Sequence, residues 1–154
     1  MKISQKGLDL IKKFEGFKSK PYLCSAGVPT IGYGSTFYED GKKVTLKDLP
    51  ITESRAEALL RFTIEKTFEP IIKKYIKVSL TQGQFDALVS FVYNIGAGGL
   101  WSASKNAPTT ICKLINASQF DEAAEQFPRW NKASGKELTG LTNRRNEEKG
   151  LFLA

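Results

Sequence analysis

Apolar residues recur at helical spacing in three long stretches of the chain, each preceded by a hydroxyl side chain suited to capping a helix. Leu8, Ile11 and Phe14 follow Ser4 and stop at Gly16, which predicts a first helix ending at Glu15. Ala56, Leu59, Leu60 and Ile64 follow Thr52 and predict a long helix that Pro70 ends or bends, with another turn or two over 71–76. Phe85, Leu88, Val89, Val92 and Ile95 follow Thr81 on a broad face before Gly96. Shorter helical patterns cover 110–116, 120–127 and 141–152, and a polar, glycine-containing connection covers 97–108. Between the first two helices the pattern changes. PTIGYGS reads as a short strand with glycines, and an Asp-Gly turn between 35–38 and 43–46 predicts a small hairpin or three-stranded sheet, the only convincing β structure. The fold class is therefore α+β, mostly α-helical.

Length and composition narrow this picture. A chain of 154 residues suits one compact domain and can bury a real core. Neither a repeat nor a low-complexity linker divides it. Lys and Arg outnumber Asp and Glu by 23 to 16, a net charge of +7, which favours anionic partners: nucleic acid, anionic membrane or bacterial envelope polymers. Two cysteines, Cys24 and Cys112, show neither a disulfide framework nor zinc-ligand spacing, and there is no histidine. Free thiols, no metal and no cofactor are the expectation. Without histidine the usual catalytic triads are excluded, and carboxylates become the natural proton-transfer groups.

One carboxyl stands out. The 8, 11, 15 spacing places Glu15 in line with the apolar stripe of the first helix, where lost hydration disfavours the charged form of a carboxyl. Taken alone it is an ordinary helix-end Glu. Eight residues separate it from Cys24, and five more separate Cys24 from Thr30, with Pro21, Gly27 and Pro29 turning the chain between them so that the loop folds back over Glu15. Cys24 alone reads as a small buried hydrophobe and Thr30 as a strand residue.

The spacing Glu, eight residues, Cys, five residues, Thr, followed by TIGYG, resembles the phage-type lysozymes, the endolysins of T-even and lambdoid phages. FVYNIGAG at 91–98, RW at 129–130 and GLTNRRNEEKGLF at 140–152 extend the likeness over nearly the whole chain. The resemblance implies a lysozyme-like two-lobed fold around a cleft. A small lobe with the β-sheet would span about 13–60, and a helical lobe would hold the N-terminal helix and about 61–154. It implies a muramidase that hydrolyses the β-1,4 bond between N-acetylmuramic acid and N-acetylglucosamine in bacterial peptidoglycan for host cell lysis. Glu15 is then the acid for the departing oxygen, with Cys24 and Thr30 on the other side of the bond. Many relatives carry Asp where Cys24 stands. A thiol of ordinary pKa, about 8.5, is mostly neutral at pH 7. Lys18 and Lys20 would lower it if they approached, giving a thiolate that stabilises positive charge or attacks carbon; otherwise Thr30 and the sulfur position a water. The family favours Thr30 holding that water, with inversion. It also places an Arg beside the Glu, and Arg144 fits the motif better than Arg145; such a partner orients the carboxyl while opposing desolvation. Tyr33, Gly34, Tyr93 and Asn94 are candidate substrate contacts, since rings cover pyranose faces and amides bond N-acetyl groups.

The partners implied are peptidoglycan glycan strands and a phage holin that opens the membrane. MKISQKGLDLIKK lacks the apolar run of a signal peptide and no segment reads as transmembrane, so the expectation is synthesis in the host cytoplasm and action on the wall after permeabilisation, as a monomer. The competing readings are a lytic transglycosylase acting on the same bond and a basic membrane- or nucleic-acid-binding protein. No helix concentrates Arg and Lys as groove readers do, which disfavours nucleic acid as a partner.

Overall fold

A computed structural model describes residues 1–154. Helix α1 (Gln5–Glu15) starts where expected: the Ser4 hydroxyl accepts the Gly7 N–H, and Ser4 is itself anchored to Asp86. It stops at Gly16, whose φ of +73° suits glycine and turns the chain away directly after Glu15.

Strands β1 (Lys18–Leu23) and β2 (Pro29–Gly32) form an antiparallel hairpin that pairs Tyr22 with Thr30 and Leu23 with Pro29. Between Lys18 and Tyr22 the strand bulges, since four steps along β1 match two along β2. This hairpin lies earlier than the sheet expected over 35–46. There, only isolated bridges form, Ile31 to Ser35 and Phe37 to Lys43. The reason is local competition: the Asp48 carboxylate accepts the Thr45 N–H and hydroxyl and the Tyr38 hydroxyl, tying the segment into turns. β1 escaped the pattern because KSKPYL carries two lysines and Pro21 at an edge position.

Helix α2 (Glu53–Thr63), capped by Thr52, continues through a π turn (Ile64–Phe68) into α3 (Glu69–Tyr75). The Glu69 N–H reaches the Ile64 carbonyl five residues back, and Pro70 sits in the first turn of α3, where a missing N–H costs little. Pro70 thus widens the helix without breaking it. Helix α4 (Gln82–Ile95) opens with a complete capping box between Thr81 and Gln84 and is buried without interruption from Gln84 to Val92. Helices α1 and α7 (Thr139–Leu153) pack on it, with α5 (Thr110–Asn116) and α6 (Phe120–Ala124) completing the helical side. Of two two-residue ladders, β3–β4 (Trp101–Ser102 with Ala107–Pro108) stands where a polar connection was expected, and β5–β6 (Lys132–Ala133 with Lys136–Glu137) between the helical patterns at 120–127 and 141–152. Such short pairs leave no alternating pattern to read.

Apolar burial is divided in two. A cluster of 23 residues, including Leu8, Ile11, Leu60, Ile64, Leu88, Phe91 and Phe152, forms the main core, and Ile31, Val44 and Leu59 form a small second one. Leu59 and Leu60 are neighbours on α2 and enter different clusters, so this helix spans the gap between them. No helix is long and apolar enough to cross a membrane.

Candidate active site

Glu15 ends α1 with its side chain 22% exposed, at the wall of a cavity of about 790 Å³ between the β hairpin side and the helices. Its Oε2 lies 2.6 Å from Nη1 of Arg144. The spacing rule that put Glu15 beside the buried stripe holds, since Leu8 and Ile11 are fully buried.

Arg144 is fixed from behind. It bonds Glu148 Oε2 at 3.3 Å and donates to the Ser90 carbonyl at 3.1 Å, and its guanidinium lies 5.8 Å from the Phe14 ring centroid. Glu148 is fully buried and accepts the Ser90 hydroxyl at 2.5 Å. Arg145, also fully buried, faces Glu148 through Nη2 at 3.2 Å; its Nε stands 2.7 Å from Glu148 Oε1 but off the hydrogen-bond line, so that contact is charge against charge. Burial pushes the Glu148 carboxyl above its ordinary range and Arg145 below its own, while each opposes the shift of the other. Residues 144, 145 and 148 share the inward face of α7, and the opposite charges four apart in RRNEE, Arg144 and Glu148, were the available signal.

The loop after β2 closes over Glu15. Gly34 has φ +90°, and a Cβ there would stand 3.0 Å from Glu15 Oε1 and 3.2 Å from the Tyr93 hydroxyl. Tyr93 donates to the Tyr33 carbonyl at 2.7 Å, fastening α4 to the same loop. Gly34→Ala is expected to cost about 1–2 kcal/mol of stability and to displace Glu15, lowering activity more than stability; chemical denaturation and a turnover assay on one preparation check this.

Cys24 lines the cavity with Glu15. Burial first, then the charges of Glu15 and Cys24, push the Tyr22 phenol up. The Cys24 thiol is drawn below its ordinary range, chiefly by the backbone amides of Val28 and Ala26 beside the sulfur. These amides come from the turn between β1 and β2, and neither Lys18 nor Lys20 contributes to the lowering. Thr30 is buried behind the cavity wall and is not among the residues that line it, and its hydroxyl donates to the Val28 carbonyl at 2.8 Å. Cys112 is buried, and burial pushes its thiol up. Iodoacetamide at neutral pH is therefore expected to modify Cys24 about tenfold or more faster than Cys112, as peptide mass mapping would show; equal rates would contradict the environment described.

Tyr93 and Asn94 line the cavity as expected, and so does Gly34. Tyr33 does not. It is 2% exposed, its hydroxyl donates to Glu53 at 2.8 Å, and burial pushes its phenol up to about 12, so it supports the wall from inside the core. Phe37, Phe62, Lys66, Thr67 and Phe68 also line the cavity and were not singled out in the sequence. Phe62 falls off the Ala56, Leu60, Ile64 stripe, which was the sign that it faces something other than the core, whereas Phe68 packs against the core and reaches the cavity from its edge. Nowhere do three or more carboxylates or thiols converge as a metal site requires.

The sequence profile described as "Phage lysozyme" matches residues 12–148. The endolysin of Bacillus phage B103 is 42% identical over 99% of this chain, which covers 54% of that relative; the chain spans about half the length of the Bacillus phage proteins it matches. Among solved structures, the endolysin from Escherichia coli O157:H7 phage FAHEc1 superimposes with a TM-score of 0.83 at 41% identity, over 99% of this chain and 94% of that one. A mutant of P22 lysozyme gives 0.83 at 34% identity, over 100% and 99%. The chain belongs to the phage lysozyme family.

Proposed function

We propose that this chain is an endolysin muramidase that hydrolyses the β-1,4 bond between N-acetylmuramic acid and N-acetylglucosamine in bacterial peptidoglycan, for host cell lysis. The observation that carries the reading is the Glu15 carboxyl, fixed by Arg144 at 2.6 Å and facing a cavity of about 790 Å³ that also holds Cys24. The relatives named endolysin and lysozyme support it. Residues of about 13–60 would supply one side of the cleft and the remaining helices the other.

In this reading a glycan strand lies in the cavity with its scissile oxygen at Glu15. Glu15 gives its proton to that oxygen as the bond to the anomeric carbon breaks. A water attacks the same carbon from the side of Cys24, held by the Thr30 hydroxyl, and passes its proton to the Cys24 thiolate. Exchange with solvent returns a proton to Glu15 and removes one from Cys24. The products are a leaving sugar with a restored hydroxyl and an inverted muramyl reducing end. Phe37, Phe62 and Phe68 offer apolar faces to sugar rings, and Asn94 an amide to an N-acetyl group. Arg144 is a positioning residue. Peptidoglycan strands are the substrate, a holin supplies passage through the membrane from the cytoplasm where the chain is made, and the working unit is a monomer.

The reading is tested by incubating the protein with purified peptidoglycan. Clearing of the suspension with new reducing ends is expected; an unchanged suspension, with DNA retained at low salt, would favour a basic binding protein instead.

A further inference from the structure

Sixteen residues line the Glu15 cavity, and Lys66 is the one cation among them. Its acidic neighbour Glu65 is drawn off to Lys2 at 3.6 Å, and no ion pair in the chain includes Lys66. Its ammonium lies 5.5 Å from the Phe62 ring centroid, one helical turn back on the same wall. The π turn of Ile64–Phe68 aligns these positions: with a carbonyl bonded five residues on, Phe62 and Thr63 come to the cavity together with Lys66 and Thr67. A free ammonium is thus held on one wall of a cavity whose only carboxylate, Glu15, is already engaged by Arg144.

A neutral sugar polymer has no use for such a charge. Of the two sugars that alternate in the proposed substrate, only the muramyl unit bears a lactyl ether, and the peptide attached there carries carboxylates. We propose that Lys66 is a specificity residue that pairs with a carboxylate on the muramyl substituent, so that the cavity admits strands bearing free carboxylates in preference to neutralised or unsubstituted ones. This rests on the proposed glycan cleavage. The interaction acts on binding, since Lys66 has no part in the proton transfers at Glu15 and Cys24. It lies at an exposed position and weakens as salt rises.

The test compares soluble muropeptide chains carrying free carboxylates with the same chains after conversion of those carboxylates to methylamides. On the free-carboxylate substrate, Lys66→Gln is expected to raise KM about fivefold with kcat unchanged, and Lys66→Arg to restore most of the loss. On the methylamide substrate the unaltered protein and Lys66→Gln are expected to share one KM. Cleavage in which Lys66→Gln changes KM equally on both substrates, or not at all, overturns the inference while leaving the muramidase reading intact. Failure of the unaltered protein to cleave either substrate overturns both.

Discussion

Glu15→Gln is expected to lower the rate of peptidoglycan clearing by about 10²–10⁴-fold while leaving the fold in place. An amide has nearly the shape of the carboxyl and can still accept the Arg144 Nη1 hydrogen, and Arg144 keeps its contacts with Glu148 and the Ser90 carbonyl. What the amide cannot do is release a proton to a departing sugar oxygen. Glu15→Asp separates the two requirements, since it restores the acid but draws it back by one methylene from a position that Arg144 and Gly34 define. A loss of about 10²-fold is expected for it, because a misplacement near 1 Å spoils proton transfer. Thermal unfolding of both variants near that of the unaltered protein, together with these rates, would assign the loss to chemistry; undiminished clearing by Glu15→Gln would remove the acid from the account.

The second large effect is on stability. Glu148→Ala is expected to destabilise the fold by about 3–5 kcal/mol, because it strips the counter-charge from a fully buried Arg145 and leaves Arg144 with one anion where it had two. Arg145 also has an Nη1 with no hydrogen-bond partner and lies 5.1 Å from the Phe91 ring centroid, so no polar side chain stands ready to replace Glu148. The Ser90 hydroxyl is orphaned as well. In a chain of 154 residues the change corresponds to a fall in Tm of about 10 °C or more. Urea unfolding with an unchanged slope would measure it. A loss below 1 kcal/mol would mean that water reaches Arg145 and that the site is not held as described.

These two predictions differ in how far the sequence announced them. Ser4, Thr52 and Thr81 were readable as caps, and Glu15 as the end of a helix beside an apolar stripe, because capping and periodicity are local. Glu15 and Arg144 are 129 positions apart, and only the packing of α1 and α7 against α4 joins them. The burial of Arg145 and Glu148 follows from the same packing, against the usual preference of charged side chains for water. Tyr33 was misread for a related reason: an aromatic beside a glycine loop looks like a sugar platform, but Glu53 gives its hydroxyl a partner inside the core. The β hairpin was displaced from 35–46 to 18–32 because turns built on Asp48 outcompete strand pairing there. Lys66 and Phe68 were hidden by a π turn, which no 3.6-residue pattern anticipates.

The central claim, that water replaces a sugar at the anomeric carbon while Glu15 protonates the departing oxygen, is tested most directly by digesting purified peptidoglycan in heavy-oxygen water and weighing the muropeptides released. The account predicts hydrated muramyl ends that each carry one heavy oxygen, and none from Glu15→Gln. Unlabelled anhydromuramyl ends, lighter by one water, would contradict hydrolysis and identify the chain as a transglycosylase.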